Sequence, residues 1–209
     1  MTPVPPGRAG RLWLRQRIGT AERAVGLLRQ KLAALTAERD ARRRALQAAE
    51  QAWRERADEA DRSMLRAALL DGRRTLALAA RDPVPVTVEH GMLLGVVLPA
   101  RAVLGPEPDV PSRVPDGAAL EPARRSARAA MEAGAARAVA DGALAALDAE
   151  IEATRWRLRA IEHRRLPELR AALARVELTL EEREREDGAR LRRATAEPER
   201  SIDARGEHS

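Results

Sequence analysis

Two stretches of this chain repeat apolar residues at heptad spacing, and Pro and Gly fill the ground between them. In the first, Ile18, Ala21, Val25, Leu28, Leu32 and Leu35 alternate steps of three and four. In the second, Leu144, Leu147, Ile151, Leu158 and Ile161 do the same, and Leu166, Leu169, Leu173, Val176 and Leu180 resume it in a shifted phase. Such a stripe holds one seam of a helix against a partner over many turns. Two stripes with a break between them predict a mainly α fold, a long antiparallel coiled-coil hairpin. The heptad period predicts a left-handed supercoil. That shape suits an axle, a strut or a clamp better than a catalytic pocket.

The residues available for burial agree. There is no Phe and no Tyr, and the three Trp are Trp13, Trp53 and Trp156. Aromatics carry much of the buried area in compact domains, so burial here falls to Leu, Ala, Val and Ile in narrow helical interfaces. Charged residues of both signs are interspersed along the helices, as on solvated helix faces. The net charge of +6 invites a nucleic-acid reading. Against it, Lys31 is the only lysine, stacking aromatics are scarce, and only Arg42, Arg43 and Arg44 form an unbroken basic run.

Several chemistries lack their residues. Cysteine is absent, so there is no disulfide framework and no thiolate. His90, His163 and His208 lie far apart, which argues against a zinc site. Lys31 follows Gln30 inside the heptad helix rather than a Gly-rich phosphate loop. No Gly-x-Ser-x-Gly motif occurs. The expectation is no cofactor, no metal and no catalytic residue. Met1 to Gly10 has no apolar core of signal-peptide type, and no stretch approaches the roughly 20 apolar residues that span a bilayer. Any membrane association is therefore expected to run through a partner.

The predicted organisation begins with a loose lead-in over 1–9. A first coiled-coil helix over 10–80 follows, its seam diluted by Arg39, Arg42 and Arg56. Contact with another protein, or long Arg stems covering a wet seam, would both explain that dilution. Val84, Val86 and Val88 alternate with Pro85, Thr87 and Glu89 before His90-Gly91 and the run Met92 to Leu98. This predicts a β-hairpin over 81–100, turning at the Gly and packed on the coiled coil or a partner. A Pro/Gly-rich linker over 101–120 leads to the second coiled-coil helix over 121–193, kinked near Pro167. A disordered tail over 194–209 ends the chain. Roughly 70 residues per helix give arms of about 100 Å.

Four motifs carry a family resemblance. Ala160-Ile161-Glu162-His163-Arg164-Arg165-Leu166-Pro167-Glu168-Leu169 resembles the ALE-x-x-x-IP-x-L signature of the D subunit of V-type and archaeal-type ATP synthases. Leu180-Glu181-Glu182-Arg183-Glu184-Arg185-Glu186 with Arg190-Leu191-Arg192-Arg193 is similar to that family's LEE-x-ERE…RLKK ending. Leu14 to Ile18 with Leu27 to Lys31 resembles its opening, and Leu94-Gly95-Val96-Val97-Leu98-Pro99 its central MGVxVP. Their order and spacing make the set more specific than any one of them. The sequence departs at Arg159, where the family commonly has Asn, and at Gly188 and Ala189, where it often has bulky aromatics.

The resemblance implies a rotor shaft, itself non-catalytic, on the cytoplasmic side of the cell membrane. Its partners would be the catalytic A and B subunits, the small F subunit of the central stalk, and a funnel-shaped C/d subunit on the membrane ring. The tip inside the hexamer would then comprise Arg11, Leu14, Arg15, Arg17, Ile18, Leu180, Glu184, Arg190 and Leu191. The seam would comprise Val25, Leu28, Leu32, Leu35, Leu158, Ile161, Leu169, Leu173 and Val176. Glu162 and Pro167 carry the family motif and the kink; Val86, Val88, Gly95 and Val96 mark a hairpin that caps the coiled coil or contacts a partner. The competing readings are a non-rotary coiled-coil scaffold and an Arg-rich nucleic-acid binder.

Overall fold

The computed structural model describes residues 4–79, 83–106 and 117–206, with side chains described as far as residue 193. In chain order the elements are α1 (Gly7–Leu70), α2 (Arg73–Leu78), β1 (Val86–Leu93), β2 (Val96–Leu104), α3 (Leu120–Ala160), a π-turn (Ile161–Arg165) and α4 (Leu166–Gly206). Among the described residues the fold is mainly α, with a long helix-hairpin region and one antiparallel β-hairpin. The chain divides into two compact units, Met1–Arg29 with Trp156–Ser209, and Gln30–Arg155.

In the first unit, Leu14, Val25, Leu166 and Leu169 are buried. Ile18, Leu28, Leu158, Ile161, Leu173, Val176 and Leu180 are half-buried along the same stripes. The phase shift between Ile161 and Leu166 is a step of five, one residue more than the heptad allows. The π-turn absorbs it: the Leu166 N–H donates to the Ile161 carbonyl, an i→i+5 bond. The expected proline kink is therefore better described as a one-residue insertion. Pro167 follows it directly, where the ring would crowd the carbonyl four residues back in a regular helix. The number of residues sets the phase, and Pro167 favours the place where the ladder opens.

Among the described residues the second unit has two small cores. Leu35, Leu98, Ala143, Leu147 and Ile151 form one, with Leu32, Leu93, Val96 and Ala146 packed around it. Thr154 extends the seam fully buried, its hydroxyl donating to Glu150 Oε1 at 3.4 Å. This threonine fills the gap between Ile151 and Leu158 in the apolar pattern. The other core joins Ala67, Ala119 and Ala123 with Leu76. Here the first helix ends earlier than expected: α1 stops at Leu70, Gly72 takes φ 83°, and α2 follows as a separate short helix. The Asp71 carboxylate accepts from the Ala119 N–H at 3.2 Å, near the start of α3.

The hairpin exists, but its turn is not at His90-Gly91. Leu93 pairs with Val96, so Leu94-Gly95 forms a two-residue turn, with φ 51° and 79°. Positive φ at both positions is the type I′ geometry that matches strand twist. Gly95 takes it freely, whereas Leu94 carries a left-handed penalty of about 1 kcal/mol. Leu94 is exposed, so Leu94→Asn should stabilise the second unit by about 0.5–1 kcal/mol in urea unfolding. β2 also runs past the expected hairpin end, to Leu104, and Gly105 N–H donates to the Pro85 carbonyl at 2.8 Å to close the base. A bulge between Glu89 and His90 lets Pro99 sit in β2 opposite His90.

Of the linker, residues 107–116 lie outside the described residues. The tail expected to be disordered continues α4 to Gly206.

Candidate functional site: charged edges of the helix pair

The first unit carries the expected tip residues, and its geometry starts from one edge of the seam. Arg8 bonds Glu184 at 3.3 Å, Arg15 bonds Glu177 at 2.7 Å, Arg170 bonds Glu22 at 2.8 Å, and Arg29 bonds Glu162 at 2.5 Å. On α1 the members fall every seven residues. On the other strand the steps are seven, seven and then eight, and the eight spans the π-turn. The seam and the ion-pair ladder thus record the same inserted residue.

The ladder fixes register more than it adds stability. Every pair has an exposed Arg, and exposed pairs contribute about 0–1 kcal/mol each. Their order matters because one pair is reversed. Slipping α4 by one heptad in one direction sets Arg15 against Arg170 and Glu22 against Glu162. Slipping it the other way sets Glu22 against Glu177 and Arg29 against Arg170. Either slip creates two like-charge encounters, so the charges admit one antiparallel alignment.

The tip residues separate by role. Leu14 is 0% exposed and serves the seam. Ile18 and Leu180 flank it half-buried. Arg15 and Glu184 belong to the ladder. Arg17 stacks over Trp13, 5.1 Å from the ring centroid. Arg11 is half-buried, Arg190 pairs with Glu186 at 4.0 Å, and Leu191 is exposed. Glu162, singled out by its motif, is the ladder partner of Arg29, and Pro167 is exposed at the second position of α4. The lead-in was expected to be loose, yet Val4 to Pro6 lie against α1. A Cβ on Gly10 would come within 2.0 Å of the Pro5 carbonyl oxygen, so only glycine permits this approach.

The three arginines that dilute the seam lie in the second unit. Arg39 pairs with Asp40 and Arg42 with Glu38, each on its own helix turn, while Arg56 is exposed. Further along, Arg137 lies 5.0 Å over the Trp53 ring and also pairs with Glu50, which accepts from Arg54 as well. The hydrogen bond from Arg137 holds the Glu50 carboxyl below its usual range, against the opposing effect of partial desolvation. A depressed carboxyl pKa contributes stability above the unfolded value, 4.5, and loses it as pH falls through the folded value. Acid unfolding of the wild type below pH 4.5 should therefore be steeper than that of Glu50→Gln, followed by circular dichroism. On the hairpin, Val86 and Val88 are exposed, while Val96 packs against the core.

Sequence reading missed the arginine–tryptophan stacks. Two were local, Trp13 with Arg17 and Trp156 with Arg159 at 4.4 Å, and an Arg three or four residues after a Trp is their signal. The ladder also stood in the sequence as heptad-spaced charges, but only the antiparallel register says which Glu meets which Arg.

No helix among the described residues is long and apolar enough to cross a membrane. The family model for the ATP synthase D subunit matches residues 12–196. The V-type ATP synthase D subunit of Thermus thermophilus is 33% identical over 203 residues, covering 92% of this chain and 88% of that protein. The V-type ATP synthase D subunit of Anaeromyxobacter sp. (strain Fw109-5) is 35% identical over 217 residues, covering 98% and 99%. A mainly α helix pair, a central hairpin turning at Leu94-Gly95, and similarity along nearly the whole chain therefore converge, and this chain belongs to the family of ATP synthase D subunits.

Proposed function

We propose that this chain is the central-stalk rotor subunit of a V/A-type proton-transporting ATP synthase/ATPase. It couples ion flow through the membrane ring to ATP synthesis or hydrolysis in the catalytic hexamer by rotation, and is itself non-catalytic. The observation that carries this reading is the ion-pair ladder with its reversed member. A shaft that transmits torque must not slide one helix past the other, and two like-charge encounters on either slip oppose sliding. The exposed, salt-screened surface also suits a part that must leave each rotary position easily.

The partners in this reading are the A and B subunits around the chain termini, the F subunit, and the funnel-shaped C/d subunit on the ring. The complex sits on the cytoplasmic side of the cell membrane, with this chain peripheral. The end of α1 and the short α2 support a protein seat: Leu65, Leu69 and Leu70 on α1 and Leu78 on α2 are all exposed. Arg66, Arg73 and Arg74 beside them have no ion-pair partner among the described residues. Such an apolar, basic surface fits the acidic-rimmed mouth of a socket, and we assign it to the funnel-shaped subunit.

Native mass spectrometry after co-expression with the A and B subunits of the same organism tests the reading. One copy of this chain per catalytic hexamer, with ATPase activity altered by its presence, is the expected result. A stable homodimer that ignores the hexamer would overturn it in favour of a scaffold.

A further inference from the structure

The chain ahead of α1 does not lead away from the helix pair; it folds back over it. Gly7 takes φ 69°, in the left-handed region that glycine enters freely, and Val4 to Pro6 return along the first unit. Val4 reaches as far as Trp13, Leu14 and Leu169, with which it lines a cavity of about 40 Å³. Val4 to Gly7 line a second cavity, of about 260 Å³, with Arg175, Val176 and Leu180 of α4. This strap therefore lies over Leu14, Val176 and Leu180 without filling the space above them, and Val4 itself is 39% exposed. Gly10 holds the arrangement in place. Helix α1 alone would be better served by alanine there, but a Cβ would collide with the Pro5 carbonyl oxygen.

A second observation says what the strap keeps off. Arg175 and Glu182 stand one heptad apart on one face of α4, opposite in sign and exposed. Neither has an ion-pair partner among the described residues. The charges around them do: Glu177 pairs with Arg15, Glu184 with Arg8 and Arg185 with Glu181. A two-fold axis midway between Arg175 and Glu182 sets each Arg175 against the Glu182 of a second, antiparallel copy. Two equivalent ion pairs then frame the apolar Val176 and Leu180. The strap shares its larger cavity with Arg175, Val176 and Leu180, so it stands in the way of that approach.

We infer that Val4–Gly7 is a strap that keeps the free chain monomeric by covering a self-association surface, whose occupant once the strap lifts is a second copy of this chain, paired antiparallel through Arg175 and Glu182. This goes beyond the rotary reading and does not depend on it. The strap needs no tight packing to succeed. Tethered at Gly7, it competes with the second copy as an intramolecular ligand, at an effective concentration that free chains do not reach. The loosely filled cavities under it are what such a tethered cover can tolerate. In the uncovered dimer the exposed ion pairs add little strength; they set the register, and burial of Val176 and Leu180 supplies the attraction.

The test compares the purified full chain with its variants by size-exclusion chromatography and light scattering. The wild type should run as a monomer. Gly10→Ala forces the strap off, and deletion of Thr2 to Pro6 removes it without touching α1. Each should self-associate at least about tenfold more tightly than the wild type. Adding Arg175→Glu to the deletion should return it to a monomer, because each two-fold contact then sets Glu against Glu. Adding Glu182→Arg as well should restore the dimer. A monomeric deletion variant overturns the inference. So does a dimer indifferent to Arg175→Glu, or a wild type that dimerises as tightly as the deletion variant. Joining of the wild type to the A and B subunits is read separately, so failure of the rotary reading leaves this test intact.

Discussion

Inserting one alanine between His163 and Arg164 should unfold the first unit, whereas deleting His163 together with Pro167→Ala should leave it as stable as the wild type. The asymmetry follows from residue count. From Leu144 to Ile161 the seam runs on the heptad, and the step to Leu166 is five where the repeat calls for four. The π-turn absorbs one surplus residue. Removing that residue gives an uninterrupted repeat, and replacing Pro167 removes the roughly 3 kcal/mol cost of placing proline inside the regular helix that results. The ladder would then step by seven throughout. Adding a residue rotates α4 by about 100° relative to α3. Leu166 and Leu169, both buried, would swing out of the seam, at about 3–6 kcal/mol for the two. Arg170, Glu177 and Glu184 would leave their partners as well. Thermal melts by circular dichroism decide the matter. An insertion variant as stable as the deletion variant would show that the charges and the seam do not fix one register.

Pro167→Ala alone should keep the π-turn, because the surplus residue remains. The expected kink near Pro167 is thus replaced by a π-turn whose cause is the residue count. The seam on either side, from Leu147 through Ile151 to Leu158 and from Leu166 to Leu180, is satisfied in both phases only if one extra residue is absorbed between them. The proline chooses where.

The heptad stripes made the helix pair legible because a 3.5-residue period has one structural meaning over many turns. What the sequence concealed depended on pairing. His90-Gly91 and Leu94-Gly95 both present a glycine to a turn. The second wins because it places Leu98, opposite Gly91, in the core beside Leu35 and Leu147. That preference is tertiary and cannot be read from local turn chemistry, which would favour Asn over Leu94. Arg39 and Arg42 looked like defects in the seam, yet they are satisfied by Asp40 and Glu38 on their own helix. Among the site residues, Glu162 was visible by its motif, but its role needed Arg29, 133 positions away. Leu14 was visible as part of an opening motif, and only burial shows that it belongs to the seam.

Leu147→Ala should cost the second unit about 3 kcal/mol, within the roughly 2–5 kcal/mol span of buried Leu→Ala changes. Leu147 is 0% exposed and shares one core with Leu35 on α1, Leu98 on β2, and Ala143 and Ile151 on α3. Few large side chains are available to collapse into the space it leaves, since Ala143 and Ala146 are its small neighbours. The loss therefore combines transfer and cavity terms. Two further variants separate the hairpin's share from that of the helices. Leu98→Ala removes the hairpin's one fully covered side chain and should speed amide hydrogen exchange at Val96 to Leu98 while leaving exchange at Leu35 near its wild-type rate. Leu147→Ala should speed both, because it sits where the two helices and the strand meet. Equal protection of the hairpin in all three proteins would mean that it is held by its own ladder. A two-stranded ribbon that is marginal alone in water makes that outcome hard to reconcile with Val86, Val88 and Met92 standing in solvent on its other face.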